Sequence, residues 1–148
     1  MKAIVVEGNT DIQVLITLFP EIKEKGIMLR SAQGFSNVFA VSRTLMDYGY
    51  NVLLVLDTDT HIHGHDNRII VDRIQSNVIA GRRLNIVWMD SCIEMVLEKA
   101  VHGIWQLKKS HRHDLERVVW DKRQDIKNLD EFKRIAEFID GEDVNGTN

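Results

Sequence analysis

Four short, nearly uninterrupted apolar runs constrain this chain more than anything else in it: Ala3-Ile4-Val5-Val6, Ile27-Met28-Leu29, Val52-Leu53-Leu54-Val55-Leu56 and Leu84-Asn85-Ile86-Val87-Trp88-Met89. Each falls far short of the roughly 18 apolar residues that cross a bilayer. None alternates apolar with polar residues as a half-exposed strand does, so all four read as strands buried on both faces. The intervening segments carry helical spacing. Ile12, Leu15, Ile16 and Phe19 fall at i, i+3, i+4 and i+7, with Thr10 and Gln13 spaced as a capping box and Pro20 as the stop. A second helix is predicted from near Ser36, with Val38, Val41 and Leu45 inward and its end before Gly49. A third starts at Asp66 or Asn67, offers Ile70, Ile74 and Val78 to the sheet and stops at Gly81. A fourth runs from Ser91 with Ile93, Val96, Leu97 and Ala100 on one face. Buried strands alternating with helices form right-handed βαβ units, so the predicted fold class is α/β: a Rossmann-like sheet of about four parallel strands flanked by helices.

At 148 residues, with 44% apolar side chains, the chain has the size and core of one domain. The expected core spans residues 1–101. A helical extension over 102–140 follows, carrying Leu115, Val118 and Val119 and then a last helix capped near Asn128 with Leu129, Phe132, Ile135, Ala136 and Ile139 on its apolar side. Residues 141–148 have no apolar periodicity and are expected to fray. The lone Cys92 rules out a disulfide framework, and Glu7 and Asp11 interrupt the first apolar run too early for a signal peptide. A cytoplasmic protein without a membrane partner is expected.

The formal net charge of −3 argues against a grip on nucleic acid by bulk charge, which requires a basic surface. An acidic chain can still act on phosphates if clustered carboxylates hold Mg²⁺ or Mn²⁺, because the ion reverses the local sign. The strand exits supply such acids. In an open parallel sheet the carboxyl ends of the strands share one rim, where ligands bind. The first strand leaves into Glu7-Gly8-Asn9-Thr10-Asp11 and the third into Asp57-Thr58-Asp59-Thr60. With the common strand order 2-1-3-4, Glu7, Asp57 and Asp59 converge from distant parts of the chain.

Val5-Val6-Glu7-Gly8-Asn9-Thr10-Asp11 together with Leu54-Val55-Leu56-Asp57-Thr58-Asp59 resembles the two motifs of the Toprim family, over roughly Met1 to Ala100. That family includes primases, topoisomerases, recombination proteins and OLD-type (overcoming lysogenization defect) nucleases. The resemblance implies that Glu7, Asp57 and Asp59 bind a divalent cation and carry the catalysis. Asp90-Ser91-Cys92-Ile93-Glu94 resembles a later acidic motif of the OLD-type nucleases, which adds Glu94 and Asp11 as ligands of a second ion. Ser91 and Glu94 also have capping-box spacing, which accounts for a glutamate there without any metal. In the same way a strand-terminal acid can be no more than a solvated loop residue or a helix cap.

Mg²⁺ takes hard oxygen ligands and keeps several waters, which suits one or two of these carboxylates plus a substrate phosphate. Water is then the expected nucleophile, since Tyr48 and Tyr50 precede the third strand, at the opposite rim. Gly8 is expected to permit a tight strand-to-helix turn and to lie against phosphate. His61-Ile62-His63-Gly64-His65-Asp66 has zinc-like spacing but no downstream ligand set, so it reads as solvated loop, with His63 and His65 as candidate phosphate contacts. Lys108, Lys109 and Arg112, beside His111 and His113, are candidate backbone contacts or a solvated helix face. Trp88, Trp105 and Trp120 read as packing residues. The chain lacks the Gly-x-x-x-x-Gly-Lys-Ser/Thr phosphate loop of the ATPase domain that OLD-type nucleases usually carry, and Thr58 stands where the small ribosomal RNA maturases of the family show proline. The expected function is a standalone Mg²⁺- or Mn²⁺-dependent nuclease acting on DNA or RNA. The alternative is a non-catalytic Toprim module that binds nucleic acid or a partner protein, as in recombination mediators. A homodimer is compatible with either.

Overall fold

The computed structural model describes residues 1–78, 85–104 and 112–141, with the side chains of 74–78 and 112–113 outside that description. Its order is β1 (Lys2–Val6), α1 (Asn9–Leu18), α2 (Glu21–Glu24), β2 (Met28–Ser31), a 3₁₀ turn (Phe35–Asn37) running into α3 (Val38–Asp47), β3 (Asn51–Asp57), α4 (Asn67–Val78), β4 (Asn85–Met89) and α5 (Ile93–Glu98). Three further helices close the described chain: α6 (Arg112–Asp121), α7 (Arg123–Lys127) and α8 (Asp130–Asp140). The strands form one all-parallel sheet in the order β2-β1-β3-β4. This is the Rossmann-like α/β architecture that the alternation of apolar runs and helical spacing implies. Among the described residues no helix is long and apolar enough to cross a membrane.

Only the two central strands match the expectation of burial on both faces. Every residue of β1 is buried, as is Val52 to Leu56 of β3. The edge strands β2 and β4 are only partly covered, with Arg30 and Asn85 exposed. An edge strand has a neighbour on one side only, so an apolar run does not by itself reveal how deeply a strand sits.

Each face of the sheet has its own core. Ile4, Val6, Leu53, Val55, Val87 and Met89 point to one side, where α1, α5 and the C-terminal helices cover them with Leu15, Leu18, Val96, Leu97, Leu115, Phe132 and Ile135. The helices after residue 111 thus share a core with the sheet. Ala3, Val5, Val52, Leu54 and Leu56 point to the other side, against Val38, Phe39 and Leu45 of α3 and Val71 of α4.

Local corrections follow from helical phase. In α1 the inward stripe is Val14, Leu15 and Leu18, with Ile12 and Ile16 half-buried. In α4 it is Val71 that enters the core, while Ile70, expected to face the sheet, is 44% exposed. The side chains of Ile74 and Val78, the other two residues expected inward, lie outside the described residues. α8 is preceded by an extended Leu129, so Asn128 is not its cap. Trp88 is half-buried against the second core, but Trp120 is exposed, with the Arg123 guanidinium 4.0 Å above its ring. Trp105, Gly81 and residues 142–148 lie outside the described residues.

Candidate functional site

Because all four strands run the same way, the ends of β1, β3 and β4 meet at the carboxyl rim. A cleft of about 340 Å³ opens there, lined by Glu7, Gly8, Asn9, Thr10, Asp11, Asp57, Asp59, His61, Cys92 and Glu94. Five carboxylates therefore face one space, and among the described residues neither Lys nor Arg lines it.

Glu7 follows β1, and its Oε2 accepts a hydrogen bond from the backbone N–H of Asp57 at 2.6 Å, which ties the exits of the two central strands together. Burial raises the Glu7 carboxyl to about 7 against the opposing pull of that amide, and Asp59, Asp11 and Glu94 push the same way as burial. Asp57 ends β3 and is driven further, to about 9, first by burial and then by the charge of Glu7. Both shifts express one fact. Ionised carboxylates here lose water and gain like-charged neighbours.

Asp59 sits in the left-handed region at φ +56°, and its Oδ2 accepts a 2.9 Å hydrogen bond from the side-chain amide of Asn67. Asp11 is buried in the first turn of α1, where its Oδ2 accepts from the backbone N–H of Gly8 at 3.1 Å. Gly8 is the N-cap residue, so the cap contact comes from Asp11 reaching back and not from the expected Thr10–Gln13 box. Gly8 itself is extended at φ −143°, and nothing lies within 4 Å of where a Cβ would stand. Neither turn geometry nor crowding requires glycine here, contrary to expectation, and its amide is already engaged by Asp11.

Glu94 is 4% exposed in the first turn of α5. The N-cap of that helix is Cys92, while Ser91 is left-handed at φ +65°. The Ser91–Glu94 capping box therefore does not form, although Glu94 still stands in the first turn of α5, where an acid suits the positive end of the helix. The Cys92 thiol, hydrogen-bonded to Glu94, is pushed up to about 12, mainly by burial.

The remaining expected contacts divide. Of the three loop histidines, His61 lines the cleft, whereas His63 and His65 are exposed and outside its lining. Lys108, Lys109 and the side chain of Arg112 lie outside the described residues. Tyr48 and Tyr50, at the start of β3, are at the far rim.

Four residues that carry the site's framework were not legible as such. Thr58, 3% exposed between the two aspartates, accepts from the backbone N–H of Ser91 at 2.8 Å, and a hydroxyl chain runs from Thr58 through Thr60 to Ser91 at 3.1 and 3.2 Å. The backbone N–H of Asp59 donates to the carbonyl of Ser91 at 2.8 Å. Asn67, the first residue of α4, donates from its side chain both to Asp59 and to the carbonyl of Asp57, each at 2.9 Å. The available signal was the hydroxyl residue inside Asp-x-Asp-x; partners 31 to 33 residues away leave no periodic trace.

Among the described residues no three His, Cys, Asp or Glu side chains already stand as a ligand cage for a metal ion. A closed, all-protein cage such as structural zinc requires does not fit this cleft. An Mg²⁺ or Mn²⁺ site does, because such an ion uses one or two carboxylates and fills its octahedron with water and phosphate oxygens. Buried carboxylates crowded without a lining cation are the donor set that such an ion would relieve. The chain matched no family model, no curated protein and no solved structure.

Proposed function

We propose that this chain is a Toprim-type nuclease, or the catalytic piece of one, that uses Mg²⁺ or Mn²⁺ to hydrolyse phosphodiester bonds in DNA or RNA. The observation that carries this reading is the gathering of Glu7, Asp11, Asp57, Asp59 and Glu94 from three strand exits around one cleft that no lysine or arginine lines among the described residues. Asp57 and Asp59 would hold the cation, with Asp11 and Glu94 available to a second. A cation bound there supplies a Lewis acid that polarises a phosphoryl oxygen and lowers the pKa of water. Glu7, oriented by the Asp57 amide, is positioned to take the proton of an attacking water. Closely spaced acids exclude nucleic acid in the absence of a cation, so both binding and cleavage should require one.

The test is incubation of the purified protein with single-stranded DNA, duplex DNA and RNA, with Mg²⁺, Mn²⁺ or a chelator, beside the Asp57→Asn/Asp59→Asn variant. Cation-dependent cleavage that drops on the order of a thousandfold in the variant is expected. Cation-dependent binding without cleavage would replace the nuclease by a non-catalytic Toprim module. Neither binding nor cleavage with any cation would remove both.

A further inference from the structure

We infer that Asn67 is a positioning residue for cation binding: its carboxamide clamps Asp59 to the end of β3 and aims that carboxylate at the cleft. The inference rests on the cation chemistry proposed above. Asn67 is 5% exposed, a buried polar side chain outside the cleft lining. Its Nδ2 lies 2.9 Å from the carbonyl oxygen of Asp57 and 2.9 Å from Oδ2 of Asp59. Both partners are oxygens that accept, and a carbonyl can do nothing else, so the NH₂ end of the amide must face them. The backbone N–H of Asn67 also donates to the carbonyl of Thr58 at 3.0 Å. One residue thus holds all three positions of the Asp57-Thr58-Asp59 stretch.

The clamp answers a specific need. Asp59 is not glycine, yet it adopts φ +56°, a conformation that costs an L-residue free energy and persists only when neighbours enforce it. In an extended conformation Asp57 and Asp59, two residues apart, already share a side; the left-handed turn at Asp59 takes its backbone out of the strand, and the bond to Asn67 fixes where its carboxylate then stands. The chemistry of the donor matters as well. A lysine or arginine would orient Asp59 equally well but would neutralise it and compete with a divalent ion. A neutral amide fixes one carboxylate oxygen and leaves the negative charge available. Partners of this kind, which orient a ligand without touching the metal, typically govern affinity by ten- to a hundredfold.

Mn²⁺ affinity of the full chain, measured by calorimetry or by electron paramagnetic resonance of free Mn²⁺, tests this without any nuclease assay. Asn67→Ala should weaken Mn²⁺ binding about tenfold or more. The neighbouring Arg68→Ala, whose side chain pairs with Asp66 on the surface, should not. Because Asn67 acts through Asp59, its effect should vanish in an Asp59→Asn background. Asn67→Ser, which keeps a single donor, provides the same comparison if the alanine variant does not fold. Wild-type Mn²⁺ binding with unchanged affinity in the Asn67 variants, or an equal loss with and without Asp59, overturns the positioning role. Absence of Mn²⁺ binding by the wild type overturns the cation reading itself, a separable outcome.

Discussion

At the amino rim of the sheet, Lys2 of β1 buries its ammonium against the end of α8 and donates to the carbonyls of Phe138, Ile139 and Gly141. Lys25 donates to the Ile139 carbonyl and pairs with Asp140 beside it. Five residues along the same strand, at the carboxyl rim, Glu7 faces four other carboxylates. Both rims bury charge, but the first supplies its own partners: a cation meets the orphan carbonyls and negative end of a helix. The second gathers like charge in a cleft whose lining, among the described residues, holds no Lys or Arg. The first arrangement stabilises the fold, whereas the second costs it stability, as the proposed cation site requires.

The largest expected difference between the rims is in how stability responds to pH and to cation. At neutral pH Asp57, at about 9, keeps its proton in the folded chain and Glu7, at about 7, is near the midpoint of its titration, whereas both ionise when the chain unfolds. The native state then binds more protons, so the stability these groups contribute is full below their unfolded values near 4 and is lost as pH climbs through 7 toward 9. The two titrate as a coupled pair. Melting curves in chelator between pH about 5 and about 9 should show a falling melting temperature. If the cleft binds Mg²⁺ as proposed, excess Mg²⁺ should displace those protons and flatten or reverse the trend. A melting temperature that rises with pH in chelator would erase the contrast between the rims.

This contrast was half legible in the sequence. Strand exits could be placed because Val6 to Glu7 and Leu56 to Asp57 are abrupt changes from apolar to acidic, and a parallel sheet brings such exits to one rim. Glu94 was ambiguous, because a capping box and a cleft acid have the same spacing from Ser91; only the left-handed Ser91 and the Cys92 cap separate them. Lys2 carries no signal in the sequence, since a lysine at the head of a strand reads as solvated until a helix end 136 residues away is brought to it. Thr58, Thr60 and Ser91 are silent for the same reason, since their hydroxyls join the exits of β3 and β4 across the fold and such pairings have no period. Asn67, eight and ten residues from its partners, has the spacing of an ordinary helix start.

The next effect in size is at the amino rim. Lys2→Met preserves the apolar stem but takes this donor from the carbonyls of Phe138 and Gly141, with Lys25 still donating to that of Ile139. A loss of about 3 kcal/mol is expected in chemical denaturation. It should be the same with and without Mg²⁺, because the amino rim takes no part in cation binding. A loss under about 0.5 kcal/mol would mean that the end of α8 is hydrated and that this rim is not closed at all.

The smallest effect has the opposite sign. Asp57→Asn keeps the shape of the side chain and the backbone N–H that binds Glu7, while it removes an ionisable group from the crowded cleft. In chelator at neutral pH the variant should be more stable than the wild type by on the order of 1–2 kcal/mol. In saturating Mg²⁺ the order should reverse, since the wild type gains binding free energy that the variant has lost. Stabilisation by removing an ionisable group from a crowded site is the mark of a residue that does not serve folding. If Asp57→Asn instead destabilises the cation-free protein, the carboxyl group is part of the fold's own hydrogen bonding, and the two rims are alike.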